Sequence, residues 1–153
     1  MLIDTLNGAG RFFYKRSFGL LLIRLVVGLI FLVHGWDKVE NISQVAVFFG
    51  TLGFWPWVAY FIGWLEVIGG LALILGIATR AFGVLFGIEM IVAAALVGAA
   101  HGFSGIEFEL LLAAASFGLA LIGSGKYSVY KMECQNCGGV FCNAETGVCV
   151  AVP

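Results

Sequence analysis

Residues 18–36 read FGLLLIRLVVGLIFLVHGW, nineteen positions of which only Arg24 and His34 are ionisable. An α-helix rises about 1.5 Å per residue and needs about 20 mostly apolar residues to cross the hydrocarbon core of a bilayer. The stretch therefore predicts a membrane span. It follows the basic residues Arg11, Lys15 and Arg16 and is too long for the apolar part of a cleaved leader, so it is expected to be retained. Three more segments have the same character, roughly Trp57 to Ala78, Ala81 to Ala100 and Glu107 to Gly123. With 61% of the 153 residues hydrophobic and only 11% charged, the composition is that of a membrane chain. A net charge of -1 gives no basis for nucleic-acid binding. The expected fold is all-α, an antiparallel four-helix transmembrane bundle, with residues 1–17 as a basic N-terminal segment, 18–130 as the membrane domain and 131–153 as a Cys-rich tail.

Four crossings put both termini on one side. Arg11, Lys15, Arg16, Arg80, Lys126 and Lys131 fall on that side and only Lys38 on the other, so the positive-inside rule predicts cytoplasmic termini in the cell membrane. Trp36, Trp55, Trp57 and Tyr60 gather at the opposite ends of the first two spans, where amphipathic rings anchor at headgroup level. Between them Asp37 to Pro56 reads as a long loop whose apolar part, from Val45 on, can lie in the interface. Gly28 and Gly35 share nearly one face of the first span and Gly83 with Gly87 forms a GxxxG pair, spacings that let helices approach closely.

Ionisable side chains within a span cost a few kcal/mol or more (about 2.5–3.5 on insertion scales) and persist when paired or functional. Arg24, Glu66 and Glu89 are such groups, and counting residues from the predicted span ends puts Arg24 and Glu89 at similar depth. Arg24 is therefore expected to pair with Glu89 or Glu66, as a structural ion pair or as part of a proton or ligand site. A second polar group, His34, Asp37 and Lys38 with His101 and Glu107, falls at the outer ends of the spans. It suits a metal or the head of a quinone, which would accept a hydrogen bond from His34 or His101. Either histidine alone is more often a hydrogen-bonded surface residue.

Residues 24–38, RLVVGLIFLVHGWDK, with 65–76, LEVIGGLALILG, then Thr79-Arg80 and 123–128, GSGKYS, resemble the signature of the DoxX family of small four-helix membrane proteins. The resemblance covers about residues 18 to 130 and implies quinone-linked redox work, as in a thiosulfate:quinone oxidoreductase, or support of it. Carried over residue by residue, the family's polar positions fall on Arg24, His34, Lys38, Glu66 and Arg80.

The tail, residues 134–149, CQNCGGVFCNAETGVC, departs from the family pattern and holds all four cysteines, Cys134, Cys137, Cys142 and Cys149. So short a segment cannot bury a core, so something must staple it. In a reducing compartment the spacing favours Zn over an Fe-S cluster, with disulfides as the third possibility. The expected function is an integral membrane subunit or accessory of a quinone-linked oxidoreductase acting on sulfur compounds or thiols, alongside other membrane or cytoplasmic redox subunits. A non-catalytic scaffold with a metal-stapled docking tail and a small proton-coupled transporter are the alternatives.

Overall fold

The computed structural model describes residues 16–98, 102–125 and 127–129. Among them are five helices: α1, Arg16–Glu40; α2, Ile42–Thr51; α3, Pro56–Leu75; α4, Thr79–Leu96; and α5, Phe103–Ile122. All but α2 are long and apolar enough to cross a membrane. Their outward faces carry exposed large apolar side chains such as Leu22, Val26, Leu29 and Val33 on α1 and Leu111 and Leu121 on α5. Water would not tolerate so continuous an apolar surface, whereas lipid matches it, and helices satisfy their own backbone groups there. The chain is a multi-pass membrane protein.

The predicted spans are all present, with shifted ends. α1 does not stop at Trp36, because Asp37, Lys38, Val39 and Glu40 contain no helix breaker; it runs to Glu40, where Trp36 Nε1 donates to Glu40 Oε1 at 2.7 Å. Half of the predicted loop is the ten-residue α2, set off by Asn41, whose backbone N–H and side-chain amide both donate to the Asp37 carbonyl. α2 buries none of its residues within the bundle, as expected of an apolar helix lying at the membrane surface. Pro56 then opens α3 at a position where its missing N–H costs nothing, and Gly76, at φ +78, closes it.

Two helix pairs make the bundle. α1 packs most extensively on α3 and α4 on α5. The first pair is close because its glycines face each other: a methyl placed on Gly70 would lie 2.6 Å from the Leu32 amide nitrogen and 2.7 Å from the Gly28 carbonyl oxygen. The pairs meet through the rings of Phe31 and Phe86, stacked with centroids 3.7 Å apart, and through Phe82 and Phe86 lying over Gly69. Leu73, Leu112, Ala113 and Leu119 complete the core.

After α5 the chain turns at Gly123, φ +88, and folds back over the end of the bundle that carries the α3–α4 turn. There the Val129 N–H donates to the Leu75 carbonyl at 3.0 Å. Arg24 holds this segment down. Its Nη1 donates to the Ser124 carbonyl and its Nη2 to the Tyr127 carbonyl at 2.5 Å. Hydrogen bonds from a charged group contribute about 1.5–3 kcal/mol each. Arg24→Met should therefore loosen residues 124–129 while sparing the four spans. Hydrogen exchange reads this at the Val129 amide; unchanged protection there would show that Arg24 is not the clasp.

Candidate functional site

The expected pairing of Arg24 with a glutamate is not what the structure shows. The glycine contacts fix the register of α1 against α3: Gly28 lies beside Gly70, and Gly35 beside Glu66, whose Cβ would be 2.6 Å from a methyl there. Arg24 is eleven residues before Gly35, about 16 Å along the helix axis, beyond the reach of its side chain to Glu66. The sequence-based depth count assumed level helix ends, but α1 begins well before the level of the α3–α4 turn, so Arg24 comes to rest at that turn beside Gly76.

Lys38 takes the place expected of Arg24. Its Nζ lies 2.5 Å from Glu66 Oε1 and 3.8 Å from Glu89 Oε1. Glu66 stands midway along α3 and Glu89 midway along α4, so both carboxylates belong to the interior of the bundle. Lys38 reaches them from one turn nearer the α2 end, its stem passing Gly63, where a methyl would stand 3.6 Å from the Lys38 Cβ. A lysine usually extends toward water; this one extends inward and is 27% exposed, against 1% for Glu66 and 9% for the Glu89 side chain.

The cluster is incomplete in hydrogen bonds: one Lys38 ammonium stands beside two buried carboxyl groups. Glu66 Oε2 and both Glu89 oxygens are buried and meet no hydrogen-bond donor among the described residues. Buried polar atoms are nearly always partnered, so three orphaned acceptors at one point mark a place where a ligand or a mobile proton belongs.

His34 stands apart from this cluster. It is exposed on α1, its ring 6.4 Å from that of Phe108 on α5, so the ends of α1 and α5 do meet, as expected. Asp37 and Glu107 are exposed at the same end of the bundle. His101 lies outside the described residues, as do Cys134, Cys137, Cys142 and Cys149. Of the six residues expected to handle quinone or protons, the fold brings together Lys38, Glu66 and Glu89, and places His34 on the surface and Arg24 at the far end.

A four-span helical bundle with a buried lysine–dicarboxylate cluster defines the class: a small polytopic membrane protein with a polar site inside its spans. The chain belongs to the DoxX family, whose model matches residues 19–99. It is also 42% identical over 107 residues to a protein of Bacillus subtilis (strain 168) named "Putative oxidoreductase CatD", an alignment spanning 69% of this chain and 80% of that protein. No solved structure matches it.

Proposed function

We propose that this DoxX-family protein is the membrane subunit or accessory of a quinone-linked oxidoreductase, and that Lys38, Glu66 and Glu89 handle its protons. The observation carrying this reading is the set of orphaned carboxylate oxygens beside a lysine in the middle of the spans. The similarity to a protein named as an oxidoreductase supports it. The side chains fit a quinone ring: Lys38 Nζ can donate to a ring oxygen, and the carboxylates accept from whatever proton that oxygen carries. A bound quinone supplies an acceptor for two electrons and two protons. Glu66 and Glu89 are placed to pass protons between the bundle interior and the α2 end, where Lys38 is partly exposed. Phe31 and Phe86 close the core on the side of the turn and keep water from following.

Electrons in this reading come from a partner subunit that oxidises thiols or sulfur compounds, and the cysteine tail is its docking element, stapled by Zn in preference to an Fe-S cluster through Cys134, Cys137, Cys142 and Cys149. Cytoplasmic termini, as the basic residues indicate, keep those thiols reduced. One preparation tests both parts. Protein purified anaerobically from its native membrane should carry quinone and about one zinc per chain, and an added quinone analogue should raise its thermal stability. Protein with neither zinc nor iron would remove the metal from the tail. An unchanged melting temperature, with no quinone co-purifying, would favour the scaffold role instead.

A further inference from the structure

We infer that the end of the bundle at the α3–α4 turn binds a phosphate group, carried by an anionic lipid or free in solution, through Arg24 and Thr79. The site lies about 15 Å along α4 from Glu89 and does not rest on the quinone reading.

Two buried donors lack partners there. Arg24 is 1% exposed; its Nη1 and Nη2 donate to the Ser124 and Tyr127 carbonyls, but its Nε donates to nothing. Thr79 is 3% exposed and its Oγ1 has no partner. The helix register brings the two together. Phe31 on α1 stacks on Phe86 on α4, and Arg24 and Thr79 each precede their phenylalanine by seven residues. Seven residues are nearly two turns, so each polar side chain shares its phenylalanine's face, about 10 Å nearer the turn. α1 and α4 run parallel, because the glycine contacts set α1 antiparallel to α3 and the short turn does the same for α4. The guanidinium and the hydroxyl therefore stand opposite one another at the same height.

The charge of Arg24 is also unanswered, since carbonyls neutralise none of it. Among the described residues Glu66 and Glu89 stand at mid-span, and Asp37, Glu40, Glu107 and Glu109 lie towards the α2 end. An ionised group inside a span persists when it is paired or functional. Arg80, exposed as the second residue of α4, adds a further positive charge at the same turn.

The backbone favours the same kind of ligand. The first bond of α4 runs from the Phe82 N–H to the Ala78 carbonyl, so the N–H groups of Thr79, Arg80 and Ala81 have no acceptor within the helix, and no side chain caps them. Ala78 is left-handed, at φ 48, and is followed by helical Thr79, an alternation that turns successive N–H groups towards one anion-binding hollow. Nε, the Thr79 hydroxyl and these amides all donate, so the complementary ligand is an anion with several acceptor oxygens. Height narrows its chemistry. The 20 residues of α3 span about 30 Å, the thickness of the hydrocarbon core, which sets the turn at headgroup level among lipid phosphates. Over Arg24 lies the returning chain at Ser124 and Tyr127, not a helix, so such a group can enter without parting two spans.

The test is thermal unfolding of the purified full-length protein in detergent at constant ionic strength. It is titrated with a short-chain phosphatidic acid, with the diacylglycerol of the same chains, and with inorganic phosphate. Phosphatidic acid should raise the melting temperature saturably and diacylglycerol should not. A rise with inorganic phosphate as well assigns the site to free phosphate; no rise with it assigns the site to the lipid. Arg24→Gln should weaken the binding at least about tenfold, the effect of losing a hydrogen bond to a charged group. Should that variant not fold, Thr79→Val carries the test: it keeps the shape of the side chain, removes a hydroxyl without a partner, and should weaken binding severalfold. Stabilisation by neither phosphate probe, equal stabilisation by diacylglycerol, or a shift undiminished in the variants would overturn the inference.

Discussion

Lys38→Met should lower the stability of the bundle by about 3 to 5 kcal/mol, the largest effect expected of any single substitution outside the hydrophobic core. Glu66 is 1% exposed and accepts a hydrogen bond from Lys38 Nζ at 2.5 Å. Removing the ammonium leaves a buried carboxylate with no counter-charge, and breaking a buried pair from one side costs about that much. The pair itself contributes far less than that figure, because its attraction is largely spent on desolvating both ions. Adding Glu66→Gln to the same chain should therefore recover much of the loss, and the coupling between the two substitutions measures their contact. Thermal or denaturant unfolding in detergent reads both variants. A Lys38→Met protein as stable as its parent would mean that the ion pair does not hold the cluster.

The second large effect is steric. Gly70→Ala would set a methyl 2.6 Å from the Leu32 amide nitrogen and 2.7 Å from the Gly28 carbonyl, both backbone atoms that no rotamer change can move aside. α1 and α3 must separate to admit it, at a cost of about 1 to 3 kcal/mol for overpacking. The separation also draws Lys38 away from Glu66, since the two sit on these same helices. Loss of stability and loss of ligand binding are thus expected together. Gly19→Ala is the control, because nothing lies within 4 Å of a methyl there. Equal behaviour of the two variants would refute the close approach of α1 and α3.

Much of this architecture is legible in the sequence because a bilayer imposes so simple a rule. Four apolar stretches of sufficient length become four helices, and the structure moves their ends by a few residues without adding or removing a span. What the apolar pattern does not encode is relative height. Every span reads alike from end to end, so counting in from assumed ends matched Arg24 with Glu89, whereas α1 extends past the turn at one end and runs on to Glu40 at the other. The glycines held the missing information. Gly28 on α1 meets Gly70 on α3, and Gly35 lies against Glu66, a register that brings Lys38 beside Gly63, in the turn before Glu66. Lys38 falls just past a span read as ending at Trp36, in the outer polar group, and only the continuation of α1 to Glu40 turns it inward to Glu66. α2 escaped notice because a ten-residue apolar helix resting on a membrane surface needs no buried stripe to mark it.

The two ends of the molecule now divide the polar residues by task. At the α3–α4 turn, Arg24 spends its donors on backbone carbonyls and closes the fold. In mid-bundle, Lys38 leaves two glutamates under-partnered. The most direct measurement of whether function resides there is photo-crosslinking with an alkyl quinone carrying a photoreactive group on its ring, followed by mapping of the labelled peptides. Label is predicted on α3 around Glu66 and on α4 around Glu89, displaced by excess unmodified quinone and reduced in the Glu89→Gln variant. Label confined to the turn around Gly76 and Arg80, or spread over the lipid-facing surfaces without competition, would contradict a ligand site at the lysine–dicarboxylate cluster.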